Sequence, residues 1–239
     1  MGEVKVSDFL IDNYQGYYDE GDSDWRRIGA LGKADNVVSL CSRLPRKSIV
    51  EIGAGEGSIL RRLSELSFGE QFYALEISPS GVETIKRKKI PRLVECKLFD
   101  GYQAPYEDDK FDIAIMSHVI EHVEHPRQLL YEASRVAKYV FVEVPMEDNY
   151  RLSKDFVFDR VGHINFYSPK TIRRLMQSSN LRVLGQITTN PSRESYTAMR
   201  GPKGLITYYI KQTLLVAAPA LATKLFTYHG ALVGERCAY

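Results

Sequence analysis

A glycine-rich turn that separates a short apolar run from an amphipathic segment is the feature that most constrains the fold of this chain. The run Ile49–Ile52 carries β-branched residues on both faces, as expected for a strand buried in a parallel sheet. Three glycines follow at alternate positions, namely Gly53, Gly55 and Gly57. They allow positive φ angles and the close approach of a ligand, and Ser58 fits the N-cap of a helix that begins at Ile59. The stretch therefore predicts a strand, a glycine loop and a helix of the kind that binds adenosine-containing cofactors.

The spacing of the glycines bears on which cofactor the loop would bind. Dinucleotide-binding loops have the pattern G-x-G-x-x-G, whereas this loop reads G-x-G-x-G, with Glu51 two positions before the first glycine. A carboxylate there would repel a pyrophosphate, but it suits a ligand with an ammonium and a sulfonium group, such as S-adenosylmethionine. The alternative is a glycine turn without any ligand, because a glycine motif on its own is a weak signal.

Apolar runs with strand character alternate with amphipathic segments along the rest of the chain. Further strands are predicted at 71–78, 92–99, 111–117, 138–145 and 181–187, with a weaker candidate for a seventh strand at 195–199. Helices are predicted at 33–44, 79–89, 126–136 and 169–180. This alternation is typical of an α/β fold with a doubly wound, Rossmann-like sheet.

Length and composition fit one globular domain over residues 1–239. We divide it into an N-terminal cap (1–32), a cofactor-binding core (33–200) and a C-terminal helical extension (201–239). The net charge of only +2 argues against a nucleic-acid partner. The cysteines are widely spaced and indicate neither a disulfide framework nor a zinc site. Neither a signal peptide nor a long apolar span is recognisable, so we expect a cytoplasmic protein.

Acidic residues follow the second and third predicted strands. Glu76 lies 19 residues after Gly57, close to the spacing at which an acid accepts hydrogen bonds from ribose hydroxyls in adenosine-binding units. The alternative for Glu76 is a solvated acid at the end of a strand. Asp100 follows the third strand, where it could accept the adenine amino group while Phe99 packs near the base.

These features together resemble the class I S-adenosylmethionine-dependent methyltransferases over roughly residues 35–190. The resemblance rests on the motif at 50–57, on Glu76 and Asp100, and on the later stretches 118–123 and 162–168. It implies a seven-stranded sheet whose last strand is antiparallel, with S-adenosylmethionine bound at the carboxyl ends of the strands. The cofactor-binding residues that it implies are Glu51, Gly53, Ala54, Gly55, Gly57, Glu76, Ile77, Asp100, Gly101, Ser117 and His118.

Histidines are the candidates for catalysis. Removing the proton of an oxygen or amine acceptor requires a base or a metal, and an unperturbed imidazole titrates near neutrality. His118, Glu121 and His122 are spaced so that one helical turn would place them on the same side. His163 lies on a loop before a later helix. We therefore expect His118, His122 and His163 to be catalytic.

The same residues resemble in part a metal-binding pattern, E-x-x-E-H with a later histidine. This pattern belongs to small-RNA 2′-O-methyltransferases and, in part, to ubiquinone-pathway O-methyltransferases. Glu121, His122 and His163 match it, while His118 stands where the first glutamate would be. This donor set would favour manganese, iron or zinc over magnesium. We favour the alternative, in which the segment has a structural role and no divalent metal is bound.

Both ends of the chain bear on the substrate and on partners. Tyr14, Tyr17 and Tyr18 belong either to a surface arm or to a cap whose rings shape a substrate pocket. The apolar segment 204–226 is expected to form two helices that pack on the domain or build a wall of the substrate pocket. The alternative for this segment is a contact with a membrane surface or with a second copy of the chain.

The predicted function is methyl transfer from S-adenosylmethionine to an oxygen of a small molecule, such as a metabolite or a glycan precursor. Two alternatives stay open. One is an RNA 2′-O-methyltransferase with a metal site, against which the near-neutral charge argues. The other is a non-catalytic module that binds the adenosyl ligand without turnover.

Overall fold

The computed structural model describes residues 6–15, 17–18, 24–152 and 162–237. Within these residues the strands are β1 (Ser48–Ile52), β2 (Gln71–Glu76), β3 (Leu93–Leu98), β4 (Phe111–Ser117), β5 (Ala137–Pro145), β6 (Leu181–Thr189) and β7 (His229–Arg236). The helices are α1 (Asp8–Tyr14), α2 (Asp24–Cys41), α3 (Ser58–Glu65), α4 (Pro79–Lys88), α5 (Pro126–Val136), α6 (Pro169–Gln177), α7 (Arg193–Arg200), α8 (Lys203–Ala217) and α9 (Pro219–Leu225). Over the same residues, no helix has both the length and the hydropathy needed to cross a bilayer.

The strands form one sheet in the order β3-β2-β1-β4-β5-β7-β6. The pairs from β3 through β5 are parallel, whereas β7 runs antiparallel to both β5 and β6. The predicted Rossmann-like sheet of seven strands with an antiparallel last strand is therefore confirmed. The strand order reverses where β1 lies between β2 and β4, and a crevice opens beyond the carboxyl ends of the strands at such a point.

The seventh strand does not lie at 195–199, so that prediction is wrong. This segment belongs to α7, which begins where the Ser192 hydroxyl accepts a hydrogen bond from the Ser195 N–H. The last strand is instead β7, which follows α8 and α9, so the segment 201–239 is not helical throughout. The middle of β7 is apolar, with Leu232 fully buried, because the strand lies between two others.

Two helices begin at positions other than those predicted. Helix α2 begins at Asp24 rather than at residue 33, because Ala30 extends its buried side by a further turn. The prediction of Ser58 as an N-cap is wrong, since Ser58 is the first helical residue of α3. The capping residue is Gly57, in a left-handed conformation that a side chain would disfavour. The loop therefore enters the helix one residue earlier than expected.

Apolar layers cover both faces of the sheet. On one face, α5 and α6 pack against strand residues such as Val50 and Leu232. On the other face, α2, α3 and α4 pack against residues such as Ile49 and Phe141. Successive residues of β1 point into opposite layers, which explains why this run is apolar without alternation. The two layers hold the strands, and thereby position the side chains at their carboxyl ends.

Candidate functional site

Two adjoining cavities open at the carboxyl ends of the strands, beneath α2 and the N-terminal tyrosines. The larger has a volume of about 530 Å³ and the smaller a volume of about 70 Å³. Gly53, His118 and His122 are among the residues that line both cavities, so the two spaces meet at these residues. This is the position at which an open α/β sheet binds its ligands.

The smaller cavity lies beside the predicted ribose-binding acid, and Glu76, Ile77 and Gly101 contribute to its lining. Glu76 Oε2 accepts a hydrogen bond from the Gly55 N–H at 2.6 Å, and Oε1 accepts one from the Ser78 N–H at 2.9 Å. Burial of this carboxyl group raises its pKa to about 7. A carboxylate held in this way suits the hydroxyls of a ribose.

The glycine loop forms one end of the larger cavity through Gly53, Ala54 and Gly55. Gly53 has a φ of +72°, in the left-handed region that favours glycine. Gly57 is placed differently, because a Cβ on this residue would lie only 2.6 Å from Ile90 Cδ1. Its missing side chain therefore makes room for packing within the domain.

Glu51 is buried near the end of β1 and lines the larger cavity. Its Oε2 atom makes no hydrogen bond with the part of the chain that the structure describes. Burial raises the pKa of Glu51 to about 8, although the nearby Lys33 ammonium opposes this shift. A buried carboxylate oxygen without a partner, next to a glycine loop, matches a ligand that brings a positive charge. These residues therefore fit the ammonium-bearing end of S-adenosylmethionine.

Asp100 holds the loop behind the smaller cavity. Its Oδ1 atom accepts hydrogen bonds from the N–H groups of Tyr102 at 2.8 Å and Gln103 at 2.6 Å. Its neighbours Phe99 and Gly101 line the smaller cavity. The Asp100 carboxylate thus shapes the wall of that cavity, and its contact with adenine stays a prediction.

The segment that carries the candidate histidines is a turn, so the helical turn predicted from its spacing is wrong. His118 has a φ of +58°, a left-handed conformation that is uncommon outside glycine. The Glu121 carbonyl accepts a hydrogen bond from the Asn165 N–H at 3.0 Å. The Asn165 side-chain amide donates two further hydrogen bonds, to the carbonyls of Ile120 and Val123. These bonds tie the turn to the loop of His163, whose ring centroid lies 4.7 Å from that of His122.

Polar side chains surround the fully buried Glu143 beside the larger cavity, and two of them, His118 and His229, are partly exposed and line that cavity. Glu143 Oε1 lies 3.5 Å from His118 Nε2 and 3.3 Å from His229 Nδ1, while Asn36 donates to Oε2 at 2.7 Å. Burial would raise the pKa of Glu143, but the neighbouring imidazoles of His118 and His229 outweigh it and hold this pKa well below its ordinary value. Burial and the Lys33 ammonium lower the pKa of His118 well below its ordinary value, so its imidazole is neutral at pH 7.

The predicted metal-binding residues come together in the folded chain. Glu121, His122 and His163 each offer a ligand atom, and these atoms lie within 4.8 Å of one another. Neither carboxylate oxygen of Glu121 accepts a hydrogen bond from a described residue, although His118 Nδ1 lies 3.3 Å from Oε1. His163 Nδ1 lies 2.5 Å from Glu147 Oε2. This donor set fits a divalent transition metal, and metal binding stays the alternative that the sequence disfavours.

The three predicted substrate tyrosines line the larger cavity. The rings of Tyr17 and Tyr18 meet edge to face at 5.1 Å, and the Arg26 guanidinium lies 4.9 Å from each ring centroid. The Tyr18 N–H donates to the Ser80 hydroxyl at 3.3 Å, which fastens this segment to the domain. The position agrees with the interpretation of a cap, while contact between Tyr14, Tyr17 or Tyr18 and a substrate stays a prediction.

Four polar residues at or beside the larger cavity were not predicted from the sequence, namely Lys33, Glu143, Glu147 and His229. For Glu143 a signal exists, because it is the only charged residue in the apolar run 139–145. For His229 the sequence gives no such signal, because β7 follows two helices and its place between two strands of the sheet is not visible in the sequence.

Fold and site together define the class of protein. The family described as "Methyltransferase domain" matches residues 27–186, and the chain belongs to this family. The prediction of a class I S-adenosylmethionine-dependent methyltransferase is thereby confirmed. S-adenosylmethionine is the cofactor of this class, in agreement with the geometry around Glu51 and Glu76.

Two curated relatives share the core of the chain. A probable chloroplastic tocopherol O-methyltransferase of Oryza sativa subsp. japonica is 26% identical over 136 residues, which cover 52% of this chain and 37% of the relative. Norajmaline N-methyltransferase of Rauvolfia serpentina is 26% identical over 145 residues, which cover 54% of this chain and 49% of the relative. The chain thus matches half or less of the length of either protein.

Two solved structures share the fold over nearly the whole chain. The first is a geranyl diphosphate C-methyltransferase from Streptomyces coelicolor in complex with Mg²⁺, geranyl diphosphate and S-adenosyl-L-homocysteine. It has a TM-score of 0.65 and 12% identity, and the match covers 98% of this chain and 100% of that chain. The second is a complex from Haloferax volcanii between the Trm112 methyltransferase activator and a methyltransferase. Its matching chain has a TM-score of 0.64 and 15% identity, and the match covers 99% of this chain and 100% of that chain. The named relatives methylate oxygen, nitrogen or carbon, so the acceptor atom does not follow from them.

Proposed function

We propose that this chain transfers the methyl group of S-adenosylmethionine to an oxygen atom of a small molecule bound in the larger cavity. The observation that carries the proposal is the meeting of the two cavities at His118 and His122, with His163 close by. The residues that line the smaller cavity suit contacts with the adenosine part of the donor, and the larger cavity leaves space for an acceptor beside it. The donor methyl group would then lie near the imidazoles.

The pair of His163 and Glu147 supports an acceptor that must lose a proton. A carboxylate 2.5 Å from His163 Nδ1 orients the imidazole and stabilises its protonated form, as the partner of a general base does. In the reaction an electron pair of the acceptor oxygen attacks the methyl carbon, and the bond from that carbon to sulfur breaks. The sulfur keeps the bonding electrons, S-adenosylhomocysteine forms, and the hydroxyl proton passes to His163.

The lining of the site and the charge of the chain favour a small molecule over RNA. Tyrosines and Trp25 contribute aromatic side chains to the lining of the larger cavity, and the whole chain carries a net charge of only +2. Recognition of an RNA backbone would call for a basic surface. A non-catalytic module would bind the adenosyl ligand equally well, but it would have no use for a carboxylate-oriented imidazole beside the cavity.

Labelled methyl transfer tests the proposal. The purified protein is incubated with methyl-labelled S-adenosylmethionine and a fractionated extract of small metabolites, and S-adenosylhomocysteine release is measured with and without a chelator. His163→Gln should lower turnover by about a hundredfold, because a positioned base contributes at least that factor. The affinity for S-adenosylhomocysteine should stay close to that of the wild type. Loss of activity with the chelator would assign part of the proton removal to a metal.

His125→Gln is the matched control, because this residue precedes α5 and its ring packs beside Tyr102 rather than in the larger cavity. It should keep wild-type turnover. Full turnover by His163→Gln would show that His163 is not the base. Tight binding of S-adenosylhomocysteine without methyl transfer to any fraction would favour the non-catalytic module instead.

A further inference from the structure

Helix α8 buries a lysine where a surface helix would present one to water. Lys211 is only 7% exposed, and its Nζ donates a hydrogen bond to the Thr227 carbonyl at 2.6 Å. The same Nζ lies 5.2 Å from the ring centroid of Tyr196 and 4.8 Å from that of Tyr228. The domain therefore buries the charge of Lys211, although lysines are rarely buried.

The outward side of α8 is apolar instead. Ile206, Tyr209, Ile210 and Val216 are 64%, 53%, 56% and 75% exposed, and their spacing places them along one side of the helix. Leu221, 48% exposed, is a further exposed apolar residue on α9, which packs against α8. We call these five residues the outer stripe. Single exposed apolar residues are ordinary, but a continuous stripe is typical of a surface that contacts lipid or a partner.

The charges around the outer stripe favour a lipid surface as its occupant. No aspartate or glutamate occurs in residues 195–234. Arg200, Lys203 and Lys224 are exposed at the ends of the helices that carry the stripe or adjoin it. An apolar helix face with basic flanks binds the interface of a membrane that contains anionic lipids. A second copy of this chain would bring the same basic edge, and like charges would oppose its docking.

We propose that the outer stripe docks α8 and α9 on the surface of an anionic lipid bilayer. The neighbouring helix α7 packs against α8 and supplies Ser195, Ala198 and Met199 to the lining of the larger cavity. Docking would therefore hold one wall of that cavity close to the membrane. An amphiphilic acceptor could enter the larger cavity from the membrane. This consequence rests on the proposed function, whereas the docking does not.

Sedimentation of the full chain with vesicles of equal parts phosphatidylglycerol and phosphatidylcholine tests the docking. The protein should sediment with these vesicles, and less so with pure phosphatidylcholine or at high salt. Ile206→Ser/Ile210→Ser should bind at least tenfold more weakly. Val94→Ser/Leu98→Ser is the matched control, because it removes side chains of similar exposure, 55% and 53%, from β3 at the opposite edge of the sheet. It should bind like the wild type.

A third variant separates the contribution of charge from that of apolar contact. Lys203→Gln/Lys224→Gln leaves the outer stripe intact and should weaken binding to the anionic vesicles while reducing its dependence on salt. Thermal unfolding and S-adenosylhomocysteine binding show that each variant is folded.

Equal vesicle binding by the Ile206→Ser/Ile210→Ser variant and the wild type would overturn the proposal. A folded wild-type protein that does not sediment with the anionic vesicles would overturn it as well. A dimer in sedimentation velocity that this variant dissociates, without vesicle binding, would overturn it in favour of a second copy as the occupant. Because vesicle binding is measured without turnover, its failure leaves the proposed function untouched. A failure of methyl transfer likewise leaves the docking untouched.

Discussion

Three glutamates at the carboxyl ends of the strands are buried, and burial raises the pKa of each one. The pKa of Glu51 rises to about 8, and those of Glu76 and Glu121 rise to about 7. The folded chain therefore binds these protons more tightly than the unfolded chain does. These three groups lower the stability as the pH rises from their ordinary value of 4.5 toward 7 or 8. Such carboxyl groups are unfavourable for the empty fold, and a ligand that brings a cation or hydroxyl donors relieves their burial.

The pKa of Glu76 makes a prediction about cofactor binding. The ionised carboxylate accepts hydrogen bonds from ribose hydroxyls more strongly than the neutral acid does, so binding should tighten as Glu76 ionises. With a pKa of about 7, the ionised fraction rises about tenfold between pH 6 and pH 8. Calorimetry should accordingly show that the ionisation of Glu76 contributes a rise of up to about tenfold in S-adenosylhomocysteine affinity over this range, with release of a proton.

Glu76→Gln is the control for this pH dependence. The variant should bind more weakly at pH 8 and should lose the part of the pH dependence that Glu76 contributes. The part that comes from the ionisation of Glu51 should remain. Equal affinities of wild type and Glu76→Gln at pH 8 would refute the assignment of this residue to the ribose.

At the scale of elements, the turn into α3 depends on one glycine. Gly57 has a φ of +77°, and a Cβ there would lie 2.6 Å from Ile90 Cδ1 and 3.1 Å from Ile85 Cγ1. Gly57→Ala should therefore lower the free energy of unfolding by about 1–3 kcal/mol, measured by urea denaturation. Gly32→Ala in α2 meets nothing within 4 Å. It should raise the free energy of unfolding by about 0.5–1 kcal/mol, since alanine favours a helix. A Gly57→Ala variant as stable as the wild type would contradict the requirement for the left-handed conformation.

The histidine segment shows how residues can be predicted to lie together from a backbone geometry that the structure does not have. The spacing of His118, Glu121 and His122 fits a helix, yet the segment is a turn held to the loop of His163 through Asn165. The backbone groups that a helix would pair internally are used instead to join two distant parts of the chain. Proximity within the predicted metal set thus comes from tertiary hydrogen bonds rather than from helical spacing.

At the scale of the whole molecule, β7 closes the sheet. It pairs with β5 on one side and with β6 on the other, and among the strands that the structure describes β6 has no other neighbour. It also brings His229 to Glu143, 86 residues away in the sequence (229 minus 143). The last element of the chain therefore completes both the core and the lining of the larger cavity.

Truncation after Thr227 removes β7 and should abolish cooperative unfolding in thermal scans followed by circular dichroism, because β6 and its apolar layer would lose their support. Leu232→Ala is a milder variant in case the truncated chain cannot be purified. It removes a fully buried side chain and should cost about 2–5 kcal/mol in the free energy of unfolding. A truncated chain that melts cooperatively at the wild-type temperature would show that β7 is dispensable.

The sequence by itself determined the features that depend on neighbours along the chain. It predicted the cofactor loop from the apolar run of β1, the glycine turn and the acid at the end of β2. Strand burial, positive φ and residue spacing are local properties, so they can be read from the sequence. The tertiary structure alone decided that β7 inserts between β5 and β6, that Glu143 meets His118 and His229, and that Lys211 points inward while the outer stripe faces out. These outcomes depend on which distant segments pack together, and no local periodicity encodes that choice.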